Sequence, residues 1–205
     1  TTFFHLLSKI SNNHYRTPRF FSKIEQILHF YQNRIKQTLS NFEIFNIFKT
    51  NKPILLFLIN EKVFQFDKHI INIITKDKYL EEKYPFFFFN EIKSLIDENL
   101  RNEVENQIKN IENYEEKRLT GENDNQICQI IRNDSFDEFG SYIKQSNLPL
   151  SSQIESSIFE TNLFLIRNKP TLIEYSAFHN SINIFNFLFK NEVQLTSSLW
   201  LYAIH

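Results

Sequence analysis

The chain has 205 residues and only two glycines, against a usual share of about 7%. Phosphate cradles, nucleophile elbows and tight hairpins all draw on glycine for positive φ or close backbone approach. Its scarcity argues against Rossmann, P-loop and hairpin-rich β folds together. A single cysteine leaves no internal disulfide framework and fits a reducing compartment, so a cytoplasmic setting is expected. No basic segment followed by an apolar core opens the chain, so no secretory signal is visible. The longest aliphatic run, Ile54 to Ile59, falls far short of the roughly 18 residues of a membrane span. Charge of one sign is lacking too. The net value is −1, from 23 basic and 24 acidic residues, and no global field recruits nucleic acid or anionic lipid. Methionine is absent and Thr1 comes first, so a piece of a longer product is expected.

What is present is helical periodicity. In 18–39, Pro18 sits where a first turn tolerates it. Phe20, Phe21, Ile24, Ile27, Leu28, Tyr31, Ile35 and Leu39 follow with the spacing of one apolar face. Residues 41–50 repeat the pattern up to a break at Pro53, and 54–60 and 66–75 carry similar spacing. For 54–59 a helix is preferred over a strand, which a short apolar run also permits. Residues 86–89 are four consecutive phenylalanines. They cover more than one helical face, so they form either an enclosed helix start behind Pro85 or an exposed docking patch. The 23 phenylalanines as a whole suggest compositional bias more than an aromatic function. From 91 to 119 the chain is acidic, with Ile92, Leu95, Leu100, Val104, Ile108, Ile111 and Leu119 as a narrow stripe. That predicts a helix along a domain edge or a short coiled coil. Residues 1–40 carry six basic side chains, Lys9, Arg16, Arg19, Lys23, Arg34 and Lys36, against Glu25 alone. A solvated helix face explains them more simply than an RNA or membrane contact.

A polar linker with Gly121 is read at 120–125, between a helical N-terminal domain, 1–119, and a second domain, 126–205. In the second, "TLIEYSAFHNSINIFNFLFKNEV", residues 171–193, reads as two short helices folded back on each other. Thr171 and Glu174 have capping-box spacing, and Pro170 discourages an upstream helix. Asn180 sits where a tight turn needs the left-handed conformation. A shift of 46 residues aligns Ile131 with Ala177, Asp134 with Asn180, Phe136 with Ile182 and Phe139 with Phe185. It also aligns Tyr142 with Leu188 and Ile143 with Phe189. A third start, "LTSSLWLYAIH", puts Ala203 in the place of Ala177, only 26 residues on.

Residues 171–193 resemble an ankyrin repeat. Thr171 falls on the repeat's threonine, Ile173 on its leucine, Ser176 and Ala177 on its small pair, and Asn180 on its turn glycine. Ile184 and Phe185 fall on its aliphatic pair and Leu188 on a core leucine. Leu172, Glu174 and Glu192 depart from its proline, its histidine and the glycine that ends its second helix. The combined pattern across 126–205 is similar to a large family of ankyrin-repeat proteins of parasitic protists, which carry a helical domain of unknown function ahead of their repeats. The resemblance implies an all-α fold with degenerate helix-turn-helix repeats in a solenoid, cut short at His205 and continuing in more repeats. It implies a non-catalytic scaffold that binds other proteins, with no cofactor. Candidate contact residues are Asn168, Lys169, Glu174, Phe178 and His179.

The residues offer little for catalysis. The histidines at 5, 14, 29, 69, 179 and 205 form no paired metal spacing. Cys128, among Ile127, Ile130 and Ile131, reads as a core thiol. The acidic group Asp134, Asp137 and Glu138 reads as a helix cap and a solvated face. Asn133-Asp134-Ser135 is a formal glycosylation acceptor, taken as chance. Trp200 and Tyr202 read as an interface between stacked units more than as a ligand cage. No nucleic acid and no membrane span are expected. The alternative function is a structural component of a cytoskeletal or other large assembly, bound through the N-terminal helices.

Overall fold

Ser40, Asn51, Asp67 and Asp97 punctuate the first half of the chain. Each accepts a hydrogen bond from the backbone N–H three residues on, which a helix start otherwise leaves without a partner. The computed structural model describes residues 2–13 and 18–204. Thr1, residues 14–17 and His205 lie outside it, and with them the readings at His14, Arg16 and His205. The chain divides into two compact units, Thr1–Gly121 and Glu122–His205. The regular elements among the described residues are helices, and the one β feature among them is an isolated bridge between Gln153 and Thr171. No helix among them is long and apolar enough to cross a membrane.

The first unit holds α1 (Thr2–Asn13), α2 (Pro18–Thr38), α3 (Asn41–Phe48), α4 (Lys52–Asn60), α5 (Lys68–Ile74), α6 (Lys78–Phe87), α7 (Phe89–Ile92), α8 (Glu98–Ile108) and α9 (Tyr114–Thr120). Residues 54–59 are helical, so the strand alternative falls. Pro53 stands in the first turn of α4, where its missing N–H costs nothing. The core gathers Leu28, Ile35, Phe45, Phe48, Ile54, Leu58, Tyr84 and Phe88. Each fully buried side chain of this size adds about 1.5–3 kcal/mol. Two expectations need correction here. Residues 91–119 form no continuous helix. Asp97 caps a new start at α8, and Asn113 takes φ 55° before α9. The four phenylalanines do not begin a helix behind Pro85 either. Pro85 lies inside α6, and the run spans the junction of α6 and α7. The run is enclosed: Phe87, Phe88 and Phe89 are buried and Phe86 is half-buried. The junction's carbonyls are satisfied from α9. Tyr114 donates to Phe86 O. Arg118 donates to Phe87 O at 3.2 Å, to Glu91 at 2.6 Å and to Glu115 at 2.7 Å.

The second unit holds α10 (Gln126–Arg132), α11 (Phe136–Ser146), α12 (Leu163–Asn168), α13 (Leu172–Phe178), α14 (Ile182–Lys190) and α15 (Leu199–Ile204). α10 pairs with α11 and α13 with α14. α13 lies between α10 and α15, and α14 lies on α11. Segment 120–125 is no loose tether on its second-unit side. Asn123 is 2% exposed and donates to Glu155 O at 2.8 Å.

Scarce glycine does not mean scarce positive φ. α4, α10, α13 and α14 all end in the same turn, with Lys62, Asp134, Asn180 and Glu192 in the left-handed region. In each, that residue's N–H bonds back three residues and the next N–H bonds back five, the Schellman closure. A side chain there carries a steric cost of roughly 1–2 kcal/mol, which glycine avoids at some expense in backbone entropy. Lys62→Gly and Glu192→Gly, both at exposed positions, are expected to stabilise their units by about 0.5–1 kcal/mol each. Thermal midpoints higher by a few degrees would show it.

Candidate functional site

Two of the turns of the second unit, those that follow α10 and α13, carry its most specific geometry. Asp134 and Asn180, 46 residues apart in sequence, hold φ values of 49° and 55°. Ser135 and Ser181 follow them as N-caps with near-identical backbone angles, and neither caps its own helix with its side chain. Ser181 instead turns its hydroxyl to Ile131 O in the neighbouring hairpin. The capping of α14 is done from outside. Asp134 Oδ2 accepts from the backbone N–H of Asn183 at 3.0 Å and from its side chain at 2.9 Å. Asp134 Oδ1 accepts from Ile184 N–H at 3.0 Å. A carboxylate on a helix N-terminus also meets the positive end of the helix dipole. Asp134 is thus a cap, as read from sequence, but of a helix 49 residues onward rather than of α11.

Beneath the turns the first helices are joined by a polar cluster. Arg132 donates to the Tyr175 hydroxyl at 2.9 Å and to Asn123 O at 2.8 Å, and its Nε pairs with Glu122 at 2.9 Å. Burial pushes the Cys128 thiol up to about 12, against the opposing pull of Arg132. Burial, with the Arg132 charge adding to it, holds His179 down at about 3. Its ring lies 4.4 Å from that of Tyr175 and 5.0 Å from that of Phe178. At neutral pH the thiol is protonated and the imidazole is a weak base, so the cluster is not primed as a nucleophile and base. It serves as a clamp between α10 and α13.

The five candidate contact residues part company. Asn168 and Lys169 are exposed at the end of α12, with Lys169 at φ 44°. Glu174 and Phe178 are turned inwards, at 4% and 6% exposure, and His179 is half-buried with its ring against Tyr175 and Phe178. The capping box read at Thr171 and Glu174 is present. Glu174 Oε2 accepts from Thr171 N–H at 2.8 Å, and its Oε1 accepts from Thr196 and Ser198, tying down the approach to α15. Burial alone would raise its pKa, but these donors outweigh that and hold the carboxyl below its ordinary value. Tyr202 is buried against Phe164, with rings 4.8 Å apart, while Trp200 is 61% exposed.

Among the described residues no group of three or more His, Cys, Asp or Glu is placed to hold a metal ion. Comparisons with protein families, curated proteins and solved structures find no match to this chain. Sequence reasoning missed Arg132 and the outward reach of Asp134. The 46-residue shift was the available signal, since it aligned Asp134 with Asn180 and so put both turns on one edge.

Proposed function

We propose that residues 126–205 are degenerate ankyrin-type hairpins stacked as a short solenoid, and that the chain is a non-catalytic scaffold binding other proteins along that stack. The recurrence of one turn, linked from hairpin to hairpin by Asp134 and Ser181, carries this reading. Such stacks bury each unit against its neighbour and leave an extended surface for recognition. The closed condition of the Cys128–Tyr175–His179 cluster supports a structural role for it.

On this reading the contact surface near α12 is narrowed to Asn168 and Lys169, because Glu174, Phe178 and His179 are spent on the interior. The paired variant Asn168→Ala with Lys169→Ala is expected to keep the thermal midpoint of the parent and to lose a captured protein partner at least several-fold. Unchanged capture of the same partner by the folded variant would move the binding surface elsewhere. Substitutions at the three inward residues would confuse a loss of fold with a loss of binding.

A second reading, attachment to a large assembly through the N-terminal helices, is favoured by an apolar ledge on the first unit. Phe30 is 80% exposed and Phe3 and Leu6 are also exposed. Lys23 and Arg34 lie on the same side of α2 by helical spacing. Phe30→Ser is expected to abolish co-sedimentation with that assembly while leaving capture through Lys169 intact.

A further inference from the structure

In the first unit α2 lies on α4, and beside that contact runs a groove of about 400 Å³ lined by Ser22, Glu25, Gln26, His29, Phe30 and Phe57. Helical spacing explains the lining. Ser22, Glu25, Gln26 and His29 fall on one side of α2, while Ile24, Leu28 and Ile35 turn into the core. Glu61, the C-cap of α4, comes in next to them. Its Oε2 lies 2.8 Å from His29 Nδ1, and its charge reaches Glu25.

Charge and surface chemistry together say what this groove accepts. Two carboxylates stand close to each other, and none of the described residues lining the groove is basic. Lys23 and Arg34 lie round the helix beyond Phe30 by spacing, away from Glu25 and His29. Burial, and then the Glu61 charge, push the Glu25 carboxyl above its ordinary value, so a positive charge placed here is favoured. The rest of the lining is largely apolar. Phe57 is half-buried, and Phe30 is 80% exposed. A phenyl face attracts a cation that comes within about 6 Å of it. Glu25, His29 and Glu61 do not converge as a metal-holding group. The cation that fits is therefore an extended organic one. Arginine meets each requirement: its planar fork pairs with carboxylates, it stacks on aromatic rings, and its methylenes lie on apolar surface.

We propose that the groove between α2 and α4 is a docking site for a partner protein, which inserts one arginine side chain there and lays a neighbouring apolar side chain on Phe30. The guanidinium donates to Glu25 and Glu61, and the stem lies against Phe57. An ion pair in open solvent contributes little. The two rings and the half-buried Glu25 make this one selective. The proposal shares Phe30 with the attachment reading above but rests on no part of it, and it is separate from the hairpin reading of 126–205.

The test follows backbone amide resonances of the full chain during titration with the peptide acetyl-Leu-Arg-Leu-amide. Saturating shifts are expected at 22–30 and 57–61. The same peptide with citrulline, the neutral isostere of arginine, is expected to bind about tenfold more weakly. Glu25→Gln is expected to weaken the arginine peptide several-fold and to keep the parent's thermal midpoint. Gln26→Arg, at an exposed position, puts a guanidinium of the chain's own in the groove and is expected to block the peptide. It keeps the test open should Glu25→Gln unsettle α2. Equal affinity for the citrulline peptide, shifts that map elsewhere or never saturate, or unchanged binding in Gln26→Arg overturns the proposal. So does free spermidine binding as tightly as the arginine peptide, because the groove then serves a small polyamine. Both variants leave Phe30 in place, so failure here is distinguishable from failure of the Phe30 attachment.

Discussion

Acidification from neutral pH to pH 4.5 is expected to remove about 2–3 kcal/mol from the stability of the second unit, through His179 alone. Its folded pKa of about 3 lies below the ordinary 6.5, so the proton enters only when the unit unfolds. The stability held in the neutral ring is complete above pH 6.5 and declines steadily as the pH falls towards the folded value. Burial is the main cause, and the Arg132 charge nearby acts in the same direction. His179→Gln, neutral at every pH, is expected to flatten the decline above pH 4.5 whatever it does to absolute stability. Glu174 governs the range below. Its depressed carboxyl contributes stability above the ordinary 4.5 and loses it as the pH falls through its folded value. Glu174→Gln should flatten that lower part and leave the upper part unchanged. Urea midpoints across this range, followed by the single tryptophan at Trp200, make the measurement. A slope between pH 6.5 and 4.5 that persists in His179→Gln, or a His179 resonance titrating near 6.5, contradicts the assignment.

Asp134→Ala is the second large effect expected, at about 2–3 kcal/mol. Losing a cap costs roughly 0.5–2 kcal/mol, and losing a carboxylate from a helix N-terminus adds about 0.3–1 kcal/mol. The amides of Asn183 and Ile184 are left without their acceptor. Because Asp134 holds positive φ, alanine also suffers backbone strain there. Asp134→Gly separates the two causes, removing the cap while suiting the turn, and should cost less than alanine by about 1 kcal/mol. Asp134→Asn keeps a carbonyl acceptor and should cost least. Faster hydrogen exchange at Asn183 and Ile184, 49 and 50 residues from the substitution, would separate a lost link between hairpins from a general loosening. If exchange there were unchanged, the link would not hold the hairpins together.

Thr171 and Glu174 were legible because a capping box is written within four consecutive residues. Ser40 and Glu43 form another of the same spacing. Asn180 was legible as a turn for the same local reason. The break-up of 91–119 was not: its stripe of apolar residues suits one long helix, and Asp97 and Asn113 interrupt it by side-chain capping and a left-handed turn. The inward turn of Glu174 escaped reading because its second set of donors, Thr196 and Ser198, lies more than twenty residues away. Asp134 was read as a cap, but which helix it caps depends on how α14 lies on α11.

By itself the chain determined its helical character, helix starts such as those at Pro18 and after Thr171, and the absence of glycine-dependent and disulfide-dependent folds. These follow from interactions between residues at most a few positions apart, which composition and spacing state directly. Only the packing of helix on helix decided that the phenylalanines at 86–89 are enclosed, that Phe178 and His179 face inwards, and that Glu25 and Glu61 come together beside one groove. Those outcomes turn on contacts between residues tens of positions apart, where burial and desolvation outweigh local preference.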